Sequence, residues 1–194
     1  MYHSELTVAE ALQLYYQKNK LPSDGGKSSR WVRIQIGPVP FFFPNSSSRL
    51  LAVDRHDMHH IVLNRSTTYL NEGLVAAWEL GQGCGVYTVA WVLQFQALLW
   101  GLILSPKQTF EFFLLGKKSQ NLYYSKDISQ YFNQSVGELR SQILTEGNHA
   151  PPGRHDYLRF TLYCAIGVMM VVLLLPLYLF PLTVVSFILF MNRF

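Results

Sequence analysis

Residues 56–60 read His-Asp-Met-His-His, which is the densest group of potential metal ligands in the chain. His56 and His60 are four positions apart, so an α-helix places both rings on one side, where they can bind one metal ion. His59 points elsewhere, and we expect it to orient a ligand from outside the coordination sphere or to carry a proton. A polar helix face without a metal is the alternative for an isolated histidine pair, but three histidines with an embedded aspartate favour a metal site.

Two carboxylates are placed where they could complete such a site, because hard divalent ions also take oxygen ligands. Asp57 adjoins His56 in the sequence. Glu72 falls in the first turn of a helix that we expect to begin at Thr67 or Thr68, where a carboxylate also suits the helix dipole. If this helix and the histidine helix run antiparallel, Glu72 returns to the histidine pair.

The same residues resemble the motif of a known family. His56-Asp57-x-x-His60, followed by eleven residues and Glu72, matches the HDxxH-x11-E motif of the coenzyme Q biosynthesis protein 4 family at all four fixed positions. The similarity continues more loosely over residues 50–144, in segments 70–74, 78–80 and 137–140. Three features depart from the family pattern: Asn64 stands where the family usually has glycine, the segment before the motif is shorter, and a hydrophobic C-terminal tail is added.

The resemblance implies a mainly helical protein that acts in ubiquinone biosynthesis at the membrane holding polyprenylated quinone precursors. It implies removal of the ring carboxylate from a polyprenyl benzoate, a decarboxylase activity, and a role in organising a multi-enzyme complex. Whether the chain is itself an enzyme is left open by the sequence. The metal ligands that the resemblance implies are His56, Asp57, His60 and Glu72, and the ion is zinc.

The C-terminal tail has the composition of a membrane segment, because residues 160–192 carry no charged side chain. A helix needs only about 20 apolar residues to cross a bilayer. Pro176 and Pro181 each remove a backbone donor, so we expect one kinked or tilted span, with a re-entrant hairpin as the alternative. The predicted organisation is a metal-motif domain over residues 1–145, a basic linker over 146–159 and an anchor over 160–191.

The net charge of +4 is spread along the chain, so it does not indicate a nucleic-acid partner. Arg154 and Arg159 stand at the start of the tail, where anionic lipid headgroups are the expected counter-charge. The positive-inside tendency then places the domain on the matrix or cytoplasmic side of a mitochondrial or bacterial inner membrane. Cys84 and Cys164 are too few for a disulfide framework and are expected to pack as apolar side chains.

The remaining pattern predicts a mainly α fold with a short extended N-terminal arm. Thr7 with Glu10 forms a capping box for a first helix ending near Lys18. Alternation over residues 32–36 indicates a short strand, after which three prolines are expected to stop regular structure. Asp127 with Gln130 resembles the capping box of the last domain helix.

A strongly apolar stretch over residues 86–104 is predicted to form a buried helix that lines an apolar cavity, with a new helix starting at Pro106. We expect its aromatic side chains to contact an isoprenoid chain, although an ordinary core helix is the more common use of such a stretch. These predicted lipid contacts are Trp91, Phe95 and Trp100.

Two other functions are compatible with the sequence. The added tail favours a non-catalytic accessory subunit of a membrane respiratory or photosynthetic complex that binds lipid or quinone, with the tail packed on partner helices. A metal-dependent hydrolase is supported by the HDxxH pattern alone, since the sequence has no nucleophile elbow and no phosphate-binding glycine loop.

Overall fold

The computed structural model describes the backbone of residues 2–36, 39–144 and 151–191, and the side chains of these ranges apart from residues 34–36, 39–41 and 177–191. Over these ranges the chain is mainly helical with one two-stranded sheet, so the predicted fold class is confirmed. The elements are α1 (Val8–Lys18), β1 (Trp31–Ile36), β2 (Val39–Pro44), α2 (Ser47–Val62), α3 (Tyr69–Gln82), α4 (Thr88–Leu104), α5 (Pro106–Lys118), α6 (Val136–Ile143) and α7 (Arg154–Met191).

Helix α1 begins and ends where its sequence signals predict. The Thr7 hydroxyl accepts from the Glu10 N–H, while the Glu10 carboxylate accepts from the Thr7 N–H, so two otherwise unpaired donors are satisfied. Lys18 closes the last turn. The buried stripe of α1 includes Tyr15 and packs in the core formed with α2 and α6.

The extended arm is a hairpin in which β1 pairs antiparallel with β2. The predicted strand over residues 32–36 is therefore confirmed, but the expectation that the prolines stop regular structure is wrong. Pro40 and Pro44 lie within β2, opposite Gln35 and Trp31. A sheet of only two strands has two edges, and a proline is tolerated on an edge because its missing N–H is not needed there.

Helix α3 is the centre of a layer in which it packs against both α4 and α5. A side chain at Gly73 would place its Cβ 2.2 Å from the Gly101 backbone nitrogen, and one at Gly116 would place its Cβ 1.8 Å from the Trp78 carbonyl oxygen. Glycine is therefore required at both crossings. Gly73 meets Gly101 while Gly83 meets Trp91, so α4 runs antiparallel to α3.

Helix α4 confirms the predicted helix over residues 86–104, but it is buried on only part of its surface. Gln94, Phe95 and Leu98 are buried, whereas Ile103 and Leu104 at its end are exposed. The predicted start of a new helix at Pro106 is confirmed by α5.

The last domain helix begins later than the sequence pattern predicted. Asp127 accepts from the Ser129 N–H and closes a short 3₁₀ turn over Ser129–Tyr131 instead of starting an α-helix. Ser135 and Glu138 form the capping box that starts α6. The prediction at Asp127 was wrong because the helix-like spacing of apolar residues continues through this 3₁₀ turn into α6, so the spacing does not show where the α-helix begins.

Helix α7 runs without interruption from Arg154 to Met191, past both Pro176 and Pro181, so the tail is one helix and not a re-entrant hairpin. Its part over Arg154–Pro176 is long and apolar enough to cross a membrane, and an 18-residue window within it has a mean hydropathy of 2.2 with 6% of the window buried. It begins inside the predicted linker, of which residues 146–150 lie outside the described residues.

Candidate metal centre

Helices α2 and α3 bring together two histidines and one carboxylate from the predicted ligand set. The Nε2 atoms of His56 and His60 are 3.2 Å apart, as expected for rings one helical turn apart. The Oε2 atom of Glu72 lies 3.5 Å from each of these nitrogens. Thr68 starts α3 by accepting from the Asn71 N–H, which fixes Glu72 in the first turn as predicted.

These three distances fit the ligand shell of a metal ion. Bond lengths of roughly 2.0–2.2 Å at tetrahedral angles separate neighbouring ligand atoms by roughly 3.3–3.6 Å. The three atoms therefore form a triangle with the edges that one zinc-sized ion needs. His56, His60 and Glu72 could hold a metal ion through these atoms.

The site is closed on one side and open on the other. The His60 side chain is fully buried, whereas those of His56 and Glu72 are 22% and 28% exposed. His60 is held by the Tyr15 ring, whose centroid is 5.6 Å away. A molecule from outside can thus approach along His56 and Glu72 but not along His60.

Asp57 lies beside this group but is not one of the three converging ligands. Its position one residue after His56 turns it about 100° around the helix, toward the α1 side. A Cβ built at Gly25 would lie 3.5 Å from its Oδ2 atom and 3.0 Å from the Tyr16 hydroxyl. Burial raises the pKa of Asp57 to about 6.

Two buried polar atoms at this place have no hydrogen-bond partner within the described part of the chain: Oδ2 of Asp57 and Nδ1 of His60. Leaving such a group unpaired costs about 1–3 kcal/mol. The Asp57 oxygen is an unpaired ligand-type atom and supports the fit of a cation, whereas Nδ1 of His60 faces away from an ion bound at Nε2 and gives no such support. Ligation by Asp57 itself stays a prediction.

Glu79 is the residue that sequence reasoning missed. It lies two turns after Glu72 on α3, is fully buried, and its Oε1 atom is 2.9 Å from Nδ1 of His56 and 2.6 Å from Nδ1 of His59. A carboxylate that accepts from the far nitrogen of a histidine fixes the ring and leaves Nε2 free to bind a metal. The available signals were the spacing of seven from Glu72 and a charge within an otherwise apolar helix.

His59 acts on the site through Glu79. Its Nε2 atom accepts from the Leu122 N–H at 2.9 Å, so its Nδ1 carries the proton and donates to Glu79. Burial lowers the pKa of His59, which agrees with this neutral form. The role of His59 in orienting a ligand stays a prediction, and Glu79 stands between His59 and His56.

The two glutamates are held ionised by the histidines. Burial alone would raise the pKa of Glu79, but His56 and His59 lower it to about 2. Burial likewise opposes ionisation of Glu72, and His60 and His56 hold its pKa well below the ordinary value. For His56 the two carboxylates outweigh burial and raise the pKa. The two ionised carboxylates thus give the site negative charge beside the imidazole nitrogens, and this charge favours binding of a cation.

Two more side chains complete the surroundings. The Tyr123 hydroxyl donates to Oε2 of Glu79 at 3.1 Å, and the Gln94 side-chain amide lies 3.1 Å from Nδ1 of His56. Burial and the Glu79 charge raise the pKa of Tyr123, so it stays a hydroxyl donor. Gln94 is a polar residue in the middle of α4, and this isolated polarity was its sequence signal.

The three predicted lipid contacts do not share one surface. Trp91 and Phe95 face α7, where the centroid of Phe95 is 5.3 Å from that of Tyr163. Trp100 lies on the other side of α4 and stacks on Tyr69 of α3 at 4.7 Å. The chain itself covers Phe95, whereas Trp91 and Trp100 are partly exposed. Lipid binding by these residues stays a prediction.

Comparison with protein-family models, with curated proteins and with solved structures finds no match to this chain. The resemblance to the coenzyme Q biosynthesis protein 4 family therefore rests on the motif residues, on the His/Glu group that they form and on the helical fold.

Proposed function

We propose that this protein is a membrane-anchored metalloprotein that binds one divalent ion, zinc by the family resemblance, at His56, His60 and Glu72. The observation that carries the proposal is the triangle of ligand atoms with edges of 3.2, 3.5 and 3.5 Å. The unpaired Asp57 oxygen beside it supports the same conclusion. Helix α7 supports membrane anchoring through its length and composition.

The finer proposal is a role in ubiquinone biosynthesis, with a polyprenylated benzoate or quinone as the bound molecule. A bound divalent ion would supply a Lewis acid that stabilises negative charge on a carboxylate or phenolate. The residues supply the rest: His56 and Glu72 border the open side, His60 closes the back, and Glu79 orients His56. An apolar anchor keeps such a site next to the bilayer, where a polyprenylated ring is held.

The metal site is tested by metal analysis of the full chain purified in mild detergent. We expect about one zinc-class ion per chain, and loss of most of it in Glu72→Gln, which keeps the size of a partly exposed side chain while removing its charge. His155→Ala is the matched control, because His155 is exposed and lies on α7 away from the site. Equal metal content in Glu72→Gln and the control would refute the site.

Removal of the ion gives an independent measurement. A ligand that binds only the folded chain stabilises it by about 2.7 kcal/mol at 100 times its dissociation constant. We therefore expect a chelator to lower the melting temperature of the wild-type chain and of His155→Ala, but to leave that of Glu72→Gln almost unchanged. A chelator effect of the same size in all three would show that the ion acts elsewhere.

The quinone role is tested in cells that depend on this protein. We expect the double variant His60→Ala, Glu72→Ala to lose both metal and quinone production, while the His155→Ala variant keeps both. Unchanged quinone levels in cells with the metal-free variant would refute the quinone role and leave the metal site standing.

A second candidate is a non-catalytic subunit of a membrane respiratory or photosynthetic complex. The observation that favours it is the outer face of α7, where large apolar side chains are exposed within the part of the helix whose side chains are described. These include Leu162, Val168, Val172 and Leu173. Partner helices would cover such a face, and a chain that migrates alone in mild detergent would argue against this candidate.

A further inference from the structure

Helix α4 and helix α7 run side by side in the same direction. Trp91 and Phe95 contact Tyr163. Phe95 and Leu99 lie next to Gly167, so residues later in α4 pack beside residues later in α7. A Cβ at Gly167 would lie 2.6 Å from the Phe95 carbonyl oxygen, which makes this a close crossing. The end of α4 therefore points the same way as the apolar continuation of α7.

The turn between α4 and α5 forms the end of the helix layer on that side. Gly101 of α4 packs on both Gly73 of α3 and Thr109 of α5, so the end of α4 and the starts of α3 and α5 lie at the same level. Ile103 and Leu104 protrude from this turn and are 72% and 53% exposed. We call residues 102–107 the α4–α5 tip.

The chemistry of the tip is that of a membrane interface. Two exposed aliphatic side chains are followed by Pro106 and the exposed Lys107, whose ammonium group can reach headgroups while its stem stays apolar. Behind the tip, Tyr69 stacks on Trp100, and such amphipathic rings are enriched at the level of lipid headgroups. The tip also continues the exposed apolar surface of α7 at Val172 and Leu173.

We propose that the α4–α5 tip is a second membrane contact, in which Ile103 and Leu104 enter the interface of the bilayer that α7 crosses. The inference rests on the proposed anchoring by α7, and it takes residues 171–191 as the crossing part, because earlier residues of α7 up to Met170 pack on the domain. These 21 uncharged residues are long enough to cross the hydrocarbon core, and they begin at the level of the tip. Interfacial insertion buries apolar side chains about 5–10 Å into the boundary of headgroups and acyl chains. Ile103 and Leu104, at the end of α4, can reach that depth with their side chains.

The contact would set the height of the metal site above the membrane. Gly73, the neighbour of Glu72, packs on Gly101, which lies about 4.5 Å along the α4 axis from Leu104. Gln94, which touches His56, lies about 15 Å from Leu104 along the same axis. A tip held in the interface thus brings Glu72, on the open side of the site, closest to the headgroups.

The test uses the full chain, with Cys84 and Cys164 replaced by alanine, in vesicles of phosphatidylcholine and phosphatidylglycerol. A single cysteine at Leu104 carries an environment-sensitive fluorophore, and lipids with nitroxides on their acyl chains act as quenchers. Val86→Cys is the matched control, because Val86 is an exposed apolar residue, 89% accessible, just before the opposite end of α4. Flotation of the same vesicles measures anchoring separately.

We expect at least about two-fold stronger quenching by the lipid nitroxides at position 104 than at position 86, and the reverse order for iodide in the water. Chains that float with the vesicles but show equal quenching at both positions would overturn the tip contact and leave anchoring by α7 intact. Chains that do not float would overturn both. Ile103→Cys provides a second position on the tip with the same expected result.

Discussion

Two contacts between elements of this chain are built on opposite physical grounds. The polar seam consists of His56, His59 and His60 on α2 facing Glu72 and Glu79 on α3. The apolar seam consists of Trp91 and Phe95 on α4 facing Tyr163 and Gly167 on α7. The polar seam is held by pairs of polar atoms at specific distances, with Nδ1 of His60 unpaired, whereas the apolar seam is held by ring contacts and close backbone approach.

The difference predicts how each seam responds to change. A buried polar network stabilises the fold when all of its members are paired, and losing one member strands the others in a low-dielectric interior. An apolar seam gains free energy roughly in proportion to the area removed from water, so it weakens gradually. Function that depends on atomic positions is thus expected in the polar seam, and anchoring in the apolar seam.

The largest effect should follow from removing the carboxylate at the centre of the polar seam. Glu79→Leu leaves His56, His59 and Tyr123 without their common acceptor in a fully buried place. Breaking a buried charged network in this way costs about 3–5 kcal/mol. We expect a large drop in melting temperature together with loss of bound metal. The melting temperature is measured by circular dichroism in mild detergent.

Glu111→Leu is the matched control, since Glu111 is exposed on α5 and its loss should change stability by no more than about 0.5 kcal/mol. Glu79→Gln separates the roles further, because it keeps the volume and an acceptor oxygen. We expect this variant to fold with metal affinity lowered about 10–100-fold. A Glu79→Leu chain as stable as the control would show that the seam is not a coupled network.

A smaller effect is expected from Gly167→Ala in the apolar seam. The new methyl group would lie 2.6 Å from the Phe95 carbonyl oxygen, so α7 must move away from α4. Overpacking of this kind costs about 1–3 kcal/mol. We expect a moderate loss of thermal stability with metal content unchanged, because the polar seam lies on other faces of the helices.

Gly153→Ala is the control for this substitution, since a Cβ there meets only the Asp156 carboxylate at 3.9 Å. If Gly167→Ala released metal as Glu79→Leu is expected to do, the two seams would be coupled and their comparison as independent parts would fail.

The sequence predicted those features of the fold and site that depend on neighbours along one helix. The capping residues Thr7 and Thr68 placed the starts of α1 and α3, and a spacing of four placed His56 beside His60. Asn64, at a position where the family that the motif resembles usually has glycine, has a φ of 53° just after α2. Asparagine and glycine both adopt this left-handed conformation, so asparagine is compatible with the turn.

Features that depend on contacts across the fold could not be predicted in this way. Glu79 reads locally as an isolated charge in an apolar helix, and its role appears only when α2 and the Leu122–Tyr124 turn are packed against it. That Asp57 lies near Tyr16 of α1 becomes evident only when α1 is packed against α2. The contacts of Trp91 and Phe95 with Tyr163 could not be predicted either, because nothing in the local pattern shows that α7 packs beside α4.

The smallest expected effect isolates one bond of the polar seam. Tyr123→Phe removes the hydroxyl that donates to Oε2 of Glu79 but leaves both histidines on Oε1, so the network loses one of its three donors. A single hydrogen bond contributes about 0.5–1.5 kcal/mol. Tyr124→Phe, at an exposed neighbouring tyrosine that donates to the Gln82 carbonyl, should cost less when both are compared by thermal unfolding. Equal losses of stability would show that the hydrogen bond from Tyr123 to Glu79 is not coupled to the rest of the polar seam. The apolar seam would then contribute more than the polar seam to the stability of this chain.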